Sequence, residues 1–195
     1  MGVLFTAGPI RATVLSAAEV PALQAFFEAN PAYSIAVNGL PPHADEAREE
    51  FDDLPPANMP YSGRFQIGLR NEAGELVGFA GVLSDLLAAQ VWHIGIFMVA
   101  TALHGTGAAQ SIYQALEAWA ASSGAQWIRL GVVEGNTRAE HFWHRCGYRE
   151  VRKRAGVVMG SRTNTVRVLV KPLAGGTLPE YLSRVARDNP DSALP

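Results

Sequence analysis

Val99-Ala100-Thr101-Ala102-Leu103-His104-Gly105-Thr106-Gly107-Ala108-Ala109 is the stretch on which the reading of this chain turns. Apolar residues running into it predict a strand from Val91 to about Thr101. Those that follow, at Ala109, Ile112, Tyr113, Leu116, Trp119 and Ala120, recur at helical spacing. The loop between is built of small residues. A helix that opens on such a loop presents unpaired backbone N–H groups carrying roughly half a positive charge. Gly105, Gly107, Ala108 and Ala109 place no bulky side chain in front of those amides. Two readings follow: an anion site suited to a phosphate or pyrophosphate, or a tight strand-to-helix turn that needs glycine. The stretch is neither a Walker loop, since no G-K-[ST] follows, nor a G-x-G-x-x-G dinucleotide fingerprint.

Working outward, the periodicity alternates between strand and helix, which predicts one mixed α/β domain without internal repeats. Ile10 to Leu15 reads as a first strand. Ser16-Ala17-Ala18-Glu19 has the capping-box form, and Val20, Leu23, Phe26 and Phe27 continue as a helix until Asn30-Pro31. A polar, proline-marked segment leads to a short helix near Ala44 to Asp53, bracketed by Pro41-Pro42 and Pro55-Pro56. Strands near Arg64 to Arg70 and Leu76 to Val82 flank the turn Asn71-Glu72-Ala73-Gly74. Trp127 to Val133 is apolar apart from Arg129, as expected of a strand buried on both faces. A helix from about Asn136 to Cys146 and strands near Tyr148 to Arg154 and Thr165 to Val170 complete a domain over residues 1–173. The break Ala174-Gly175-Gly176 sets off a tail, 174–195, in which Leu178, Tyr181, Leu182 and Val185 suit a short amphipathic helix.

Composition narrows the class. Sixteen Lys and Arg stand against 18 Asp and Glu in 195 residues, a net charge of -2 without the basic surplus of a nucleic-acid protein. A single cysteine, Cys146, excludes an internal disulfide. The longest apolar stretch, about Ile94 to Leu103, falls short of the roughly 20 residues of a membrane span, and the first residues lack the features of a signal peptide. Met1-Gly2-Val3-Leu4-Phe5-Thr6 fits the short M-G-x-x-x-[ST] acylation pattern only formally. A soluble, cytoplasmic protein with neither nucleic-acid nor membrane partner is expected. His141, His144 and Cys146 share one helix and lack the paired spacing of a zinc site, so no metal is expected.

His104-Gly105-Thr106-Gly107-Ala108-Ala109 resembles the (Q/R)-x-x-G-x-(G/A) pyrophosphate loop of the GNAT family of N-acetyltransferases. Asn136, Ala139, Phe142, Gly147 and Tyr148 resemble that family's N-x-x-A-x-x-F-Y-x-x-x-G-F segment at matching spacing, one strand further on. The likeness covers approximately residues 10 to 172 and leaves the tail outside. It implies a splayed, mostly antiparallel sheet flanked by helices, with acetyl-CoA lying between the Val91 to Thr101 and Trp127 to Val133 strands. The cofactor's pantetheine would pair with backbone at Phe97, Met98 and Val99. Its pyrophosphate would sit on the loop from His104 and Gly105 through Thr106, Gly107, Ala108 and Ala109. Asn136 would point its amide at the pantetheine arm, or serve as a helix N-cap, or both. The acceptor would be an amine of a small molecule or peptide, and the resemblance leaves room for a homodimer.

Two departures from the family pattern carry weight. His104 stands where Gln or Arg is usual, replacing a permanent charge by a titrating one. Trp143 stands where many members carry a tyrosine that protonates the departing thiolate, and an indole N–H does not release its proton in this range. His144 or Cys146 is near enough in sequence to substitute. The loss of the acid also fits an acyl-CoA-binding sensor with weak or no catalysis. For the base, His93 sits in the strand bordering the thioester, and Asp85 lies just after the preceding strand, where it would accept the proton through water or orient His93; satisfied packing for the first and a turn for the second are the competing readings. On the acceptor side, Tyr33 and Asn38 are expected to line the pocket. The acidic run Asp45, Glu46, Glu49, Glu50, Asp52 and Asp53 would attract a cation or simply face solvent.

Overall fold

The structure, a computed structural model, describes residues 2–173 and 175–194. Ala174 of the expected break and Met1 of the acylation pattern lie outside them. Eight strands form one sheet in the order β1-β2-β3-β4-β5-β6-β8-β7. They are β1 (Val3–Ala7), β2 (Ile10–Val14), β3 (Gly63–Arg70), β4 (Leu76–Ser84), β5 (Val91–Val99), β6 (Trp127–Val133), β7 (Arg149–Met159) and β8 (Arg162–Pro172). The helices are α1 (Val20–Ala29), α2 (Ala32–Asn38), α3 (Glu46–Asp52), α4 (Ala108–Ser122), α5 (Thr137–Arg145) and α6 (Leu178–Arg184). Every pairing is antiparallel except β5 with β6, whose parallel connection needs a crossover and has one in α4.

The sequence reading missed β1, missed α2 within the segment read as polar and irregular, and cut short the β7–β8 hairpin. β1 is only five residues long, and its half-buried Leu4 and Phe5 are adjacent, so its alternation is weak. In α2, a seven-residue helix opens directly after Pro31 and stops at Gly39, whose φ of 85° lies in the left-handed region.

The site is shaped by a mismatch between β5 and β6. Their pairing covers only Val91–Ile94 against Trp127–Leu130, yet β5 runs on to Val99 and β6 to Val133. The strands part at Ile94, and the carboxyl ends of both border an open wedge. On its other side, β5 carries a bulge: Gly81 of β4 pairs with Ile96 and Val82 with Ile94, leaving Gly95 unmatched. The extra residue reverses which side chains face which layer. Trp92 and Ile94 pack in the core with α4, whereas Ile96 and Met98 pack with α1 around Leu23, Phe27 and Phe79. Strict alternation would have put Ile94 and Ile96 on one face.

The tail docks on its own chain. Tyr181 and Val185 join Val91, Trp127, Val168 and Val170 in one apolar cluster, and Trp127 Nε1 donates to the Thr177 carbonyl at 2.9 Å. Asp188 is fully buried and grips Arg129 of β6 through Nε at 2.7 Å and Nη2 at 3.2 Å, while the Tyr181 hydroxyl donates to the same carboxylate. No helix among the described residues is long and apolar enough to cross a membrane.

Candidate active site

Small residues after β5 turn the chain into α4. Gly105 and Gly107 hold φ of 79° and 87°, which L side chains rarely adopt, and a Cβ at either would meet open space. The absence of side chain therefore serves backbone conformation and an uncovered surface together. Gly107 caps α4, leaving the first-turn amides without intrahelical partners. Thr106 closes the loop: its Oγ1 donates to the Leu103 carbonyl at 2.8 Å and accepts from the Ala108 amide at 3.3 Å. Thr106 and Ala108, expected on the pyrophosphate surface, also hold the turn together. His104 folds its ring back so that Nε2 bonds the Val99 carbonyl at 2.9 Å, while Nδ1 is buried without a partner among the described residues. The bond occupies the carbonyl of Val99, one of the groups expected to pair with pantetheine.

A cavity of about 410 Å³ opens on this loop, lined by Phe97, Met98, Val99, His104, Gly105, Gly107 and Ala109 together with α5. Asn136 caps α5 by accepting from the Ala139 amide through Oδ1 at 3.3 Å, which commits its oxygen and leaves its NH₂ for the cavity it lines. Trp143 is only 7% exposed and is wedged among Phe97, Tyr113, Phe142 and Tyr148 at centroid distances of 5.7, 5.2, 4.8 and 5.2 Å. A second cavity, about 340 Å³, occupies the wedge between β5 and β6. Tyr33, Phe97, Asn136, Ala139 and Trp143 line both, so the two spaces meet there. Burial and the carboxylates of Glu50 and Glu46 push the Tyr33 hydroxyl above its ordinary range, so it keeps its proton.

A sequence profile of the acetyltransferase (GNAT) family matches residues 24–148, more than half of the chain. This chain belongs to the GNAT family. Solved structures repeat the fold at low identity. An acetyltransferase from Thermus thermophilus is 21% identical, with a TM-score of 0.64 over 84% of this chain and 97% of that one. A spermidine N-acetyltransferase from Vibrio cholerae, in complex with CoA and spermine, is 15% identical, with a TM-score of 0.63 over 85% of this chain and 96% of its own. An acetyl transferase from Salmonella typhimurium that modifies the N-terminal serine of ribosomal protein L7/L12 is 12% identical, with a TM-score of 0.65 over 85% and 95%. Among curated proteins none gives a significant match.

Around this GNAT site, several sequence expectations need correction. Asp85 lies in the β4–β5 turn with φ of 53°, its Oδ1 accepting from the Gln90 amide at 2.6 Å, and it lines none of the cavities described. It is a turn residue. Asn38 ties α2 to the β7–β8 turn: its carbonyl accepts from the Ser161 amide at 3.0 Å and hydroxyl at 2.9 Å, away from the cavities. His93 does line the wedge, but burial and the Arg129 charge push its pKa down to about 3. Its Nδ1 sits 3.1 Å from the Arg129 carbonyl and 3.3 Å from Nη1. Such an imidazole stays neutral at pH 7 and accepts a proton from an ammonium very poorly. As substitutes for the missing acid, His144 is exposed, and the buried Cys146 thiol is pushed up to about 11, neither lining a cavity described here. No group of three or more His, Cys, Asp or Glu among the described residues is arranged to hold a metal.

The acidic run is mostly spoken for. Glu46 accepts from the Ser34 hydroxyl at 2.6 Å, Glu49 pairs with His43 at 3.2 Å, and Asp52 with Arg48 at 3.5 Å. Glu50 is pushed up, to about 7, by burial, then by the charges of Asp53 and Glu46 against the opposing Arg64. Sequence reasoning had it only as one member of a run. The signals available were the pair Arg64 and Gln66, polar residues two apart in a strand, and the lone Arg129 in an apolar strand whose partner Asp188 lies 59 residues on.

Proposed function

We propose that the protein is an acetyl-CoA-dependent N-acetyltransferase that moves an acetyl group to a primary amine of a small molecule or peptide, by direct attack in a ternary complex. The observation carrying this reading is the junction at Tyr33, Phe97, Asn136, Ala139 and Trp143, where the cavity on the glycine loop meets the wedge between β5 and β6. Family membership and the CoA-bound neighbour support the choice of donor.

Residues on the donor side fit a nucleotide thioester. Uncovered amides of the loop and of the first turn of α4 suit a pyrophosphate. Asn136 offers an NH₂ to an amide-bearing arm. Bound there, the thioester would supply an activated acyl carbon. Trp143 does not release a proton, but the Tyr33 hydroxyl, protonated and at the junction, donates a hydrogen bond to sulfur as charge develops. Holding amine and thioester together contributes about 7–11 kcal/mol, against the ~10²- to 10⁴-fold a general acid adds. Positioning outweighs the missing tyrosine.

The test is a thermal shift with acetyl-CoA, then thiol release over a panel of primary amines. Stabilisation with release on at least one amine is expected. Stabilisation without release on any would instead favour an acyl-CoA-binding sensor, with Trp143 as its mark.

A further inference from the structure

A third cavity, about 220 Å³, lies between α3 and the face of β3–β5 that carries His93. Gln66 of β3 forms part of its wall and is 7% exposed. Its Nε2 donates to the Glu50 carbonyl at 3.0 Å and the Phe51 carbonyl at 3.4 Å, which fixes the amide's orientation. Oε1 is thereby turned away from α3, and it has no partner among the described residues. A Cβ placed on Gly81 would lie 3.2 Å from this oxygen and 3.6 Å from Glu50 Oε1. Two acceptor oxygens therefore converge on the volume that Gly81 leaves open. A buried acceptor without a donor is costly, and a carboxylate beside it selects a cationic donor. Two such oxygens are too few for a divalent cation, which takes six or more oxygens. A primary ammonium, with three N–H groups on one small atom, suits both at once.

The position is also close to the chemistry. Gly81 and Gly95 touch across the bulge: a Cβ on Gly95 would lie 3.9 Å from the Gly81 carbonyl and 4.0 Å from His93 Nε2. Met59, His93 and Gly95 line both this groove and the wedge, so a chain of a few atoms passes from one to the other. The path is floored by glycine at both strands, which admits a narrow, unbranched amine.

We infer that this groove is the ammonium subsite of the acceptor: Glu50 and Gln66 receive a primary ammonium over Gly81, and Glu50 takes the proton that nitrogen must lose before it attacks. This rests on the transferase reading above. One N–H bond breaks, its proton passes to the Glu50 carboxylate and on to solvent, and its electron pair forms the C–N bond. The C–S bond breaks with its pair on sulfur. The second proton shed by nitrogen ends on sulfur as the thiol, so amide and thiol leave with one proton released. Around Glu50 stand Glu46 and Asp53 from its own segment, Tyr33 from α2, Arg64 from β3 and His93 from β5. Because its pKa lies near 7, kcat/KM for the amine should rise through neutral pH as the carboxylate forms.

The experiment pairs direct binding with turnover. Titration of n-butylammonium chloride into the full-length protein should show one site in the wild type. Glu50→Gln and Gly81→Ala should each weaken it at least tenfold, with acetyl-CoA binding unchanged. In turnover, Glu50→Gln should lower kcat about 10²- to 10⁴-fold and abolish the neutral limb of the pH profile. Absence of butylammonium binding to the wild type, or amine turnover indifferent to both substitutions, would overturn the subsite while leaving the transferase reading intact. Glu50-dependent binding without transfer to any amine would do the reverse, removing the transferase reading and the proton step but supporting the subsite. Should Gly81→Ala fail to fold, the isosteric Glu50→Gln decides alone.

Discussion

The loop after β5 and the groove under α3 both present polar groups to a cavity, but they are built on opposite principles. At the loop the polar groups are backbone amides, uncovered because Gly105 and Gly107 have no side chains. At the groove they are side-chain oxygens of Glu50 and Gln66, set by hydrogen bonds from Gln66 and Arg64 to main-chain carbonyls at the end of α3. A backbone site depends on local conformation and so is written in consecutive residues. A side-chain site depends on which face each strand presents, and the bulge at Gly95 changes that face midway along β5. Substitutions at the first should disturb the donor alone, and at the second the acceptor alone.

The largest effect should come from neither. Asp188→Ala leaves the Arg129 guanidinium buried beside His93 without its carboxylate, and breaking a buried pair in this way costs about 3–5 kcal/mol. At roughly 2–4 °C per kcal/mol for a chain of this size, the melting temperature should fall by about 6–20 °C. A smaller change would mean that the Asp188–Arg129 pair is not what holds the tail on β6. Next, Gly107→Val forces a β-branched side chain to φ of 87° in front of the amides. The strain is about 1–2 kcal/mol, and KM for acetyl-CoA should rise about tenfold or more while KM for the amine holds. If both constants moved together, the two regions would not be separable.

The same distinction explains what could be read from the sequence. The mixed α/β order, the loop and the α5 segment with Asn136 and Trp143 follow from spacing along the chain, because strand, turn and helix signals there are local; the splay of the sheet came only from the resemblance those motifs carry. Asp85 in its turn and Asn38 at the end of α2 differ from expectation because a polar residue carries no record of its partner, here the Gln90 amide and the Ser161 turn. His93 was placed in the right strand, but its chemistry depends on Arg129, 36 residues away. Glu50 was indistinguishable from its acidic neighbours until Gln66 and Arg64 fixed the end of α3. His93→Ala checks this directly: because the imidazole stays neutral down to about pH 3, the pH profile between pH 5 and 9 should be unchanged. A lost limb in that range would restore His93 as the base.

Trp143→Tyr comes next in size. Trp143 fills a box of four aromatic rings, and a smaller ring leaves a gap there, so a loss of about 1–2 kcal/mol in stability should accompany a gain in kcat of less than tenfold. A much larger gain would mean that protonation of sulfur limits the rate and that Tyr33 does not serve it.

The smallest effect runs against the usual expectation for a substitution in an active site. Glu50 has a folded-state pKa near 7, above the ~4.3 of an unfolded glutamate. The folded state therefore holds a proton that the unfolded state has released between those values, and stability falls as pH rises from about 4.3 to 7. Below that window both states are protonated and the penalty vanishes. Glu50→Gln removes the titration, so at pH 8 the variant should be more stable than the wild type by about 1 kcal/mol or somewhat more, a gain of a few degrees in melting temperature. At pH 4 the two should melt together. A variant that is slower and more stable at pH 8, but only slower at pH 4, would show that the acceptor groove keeps a destabilising carboxylate for its chemistry. Equal melting at both pH values would mean that Glu50 is solvated, with an ordinary carboxylate's affinity for protons, and poorly matched to the role of base.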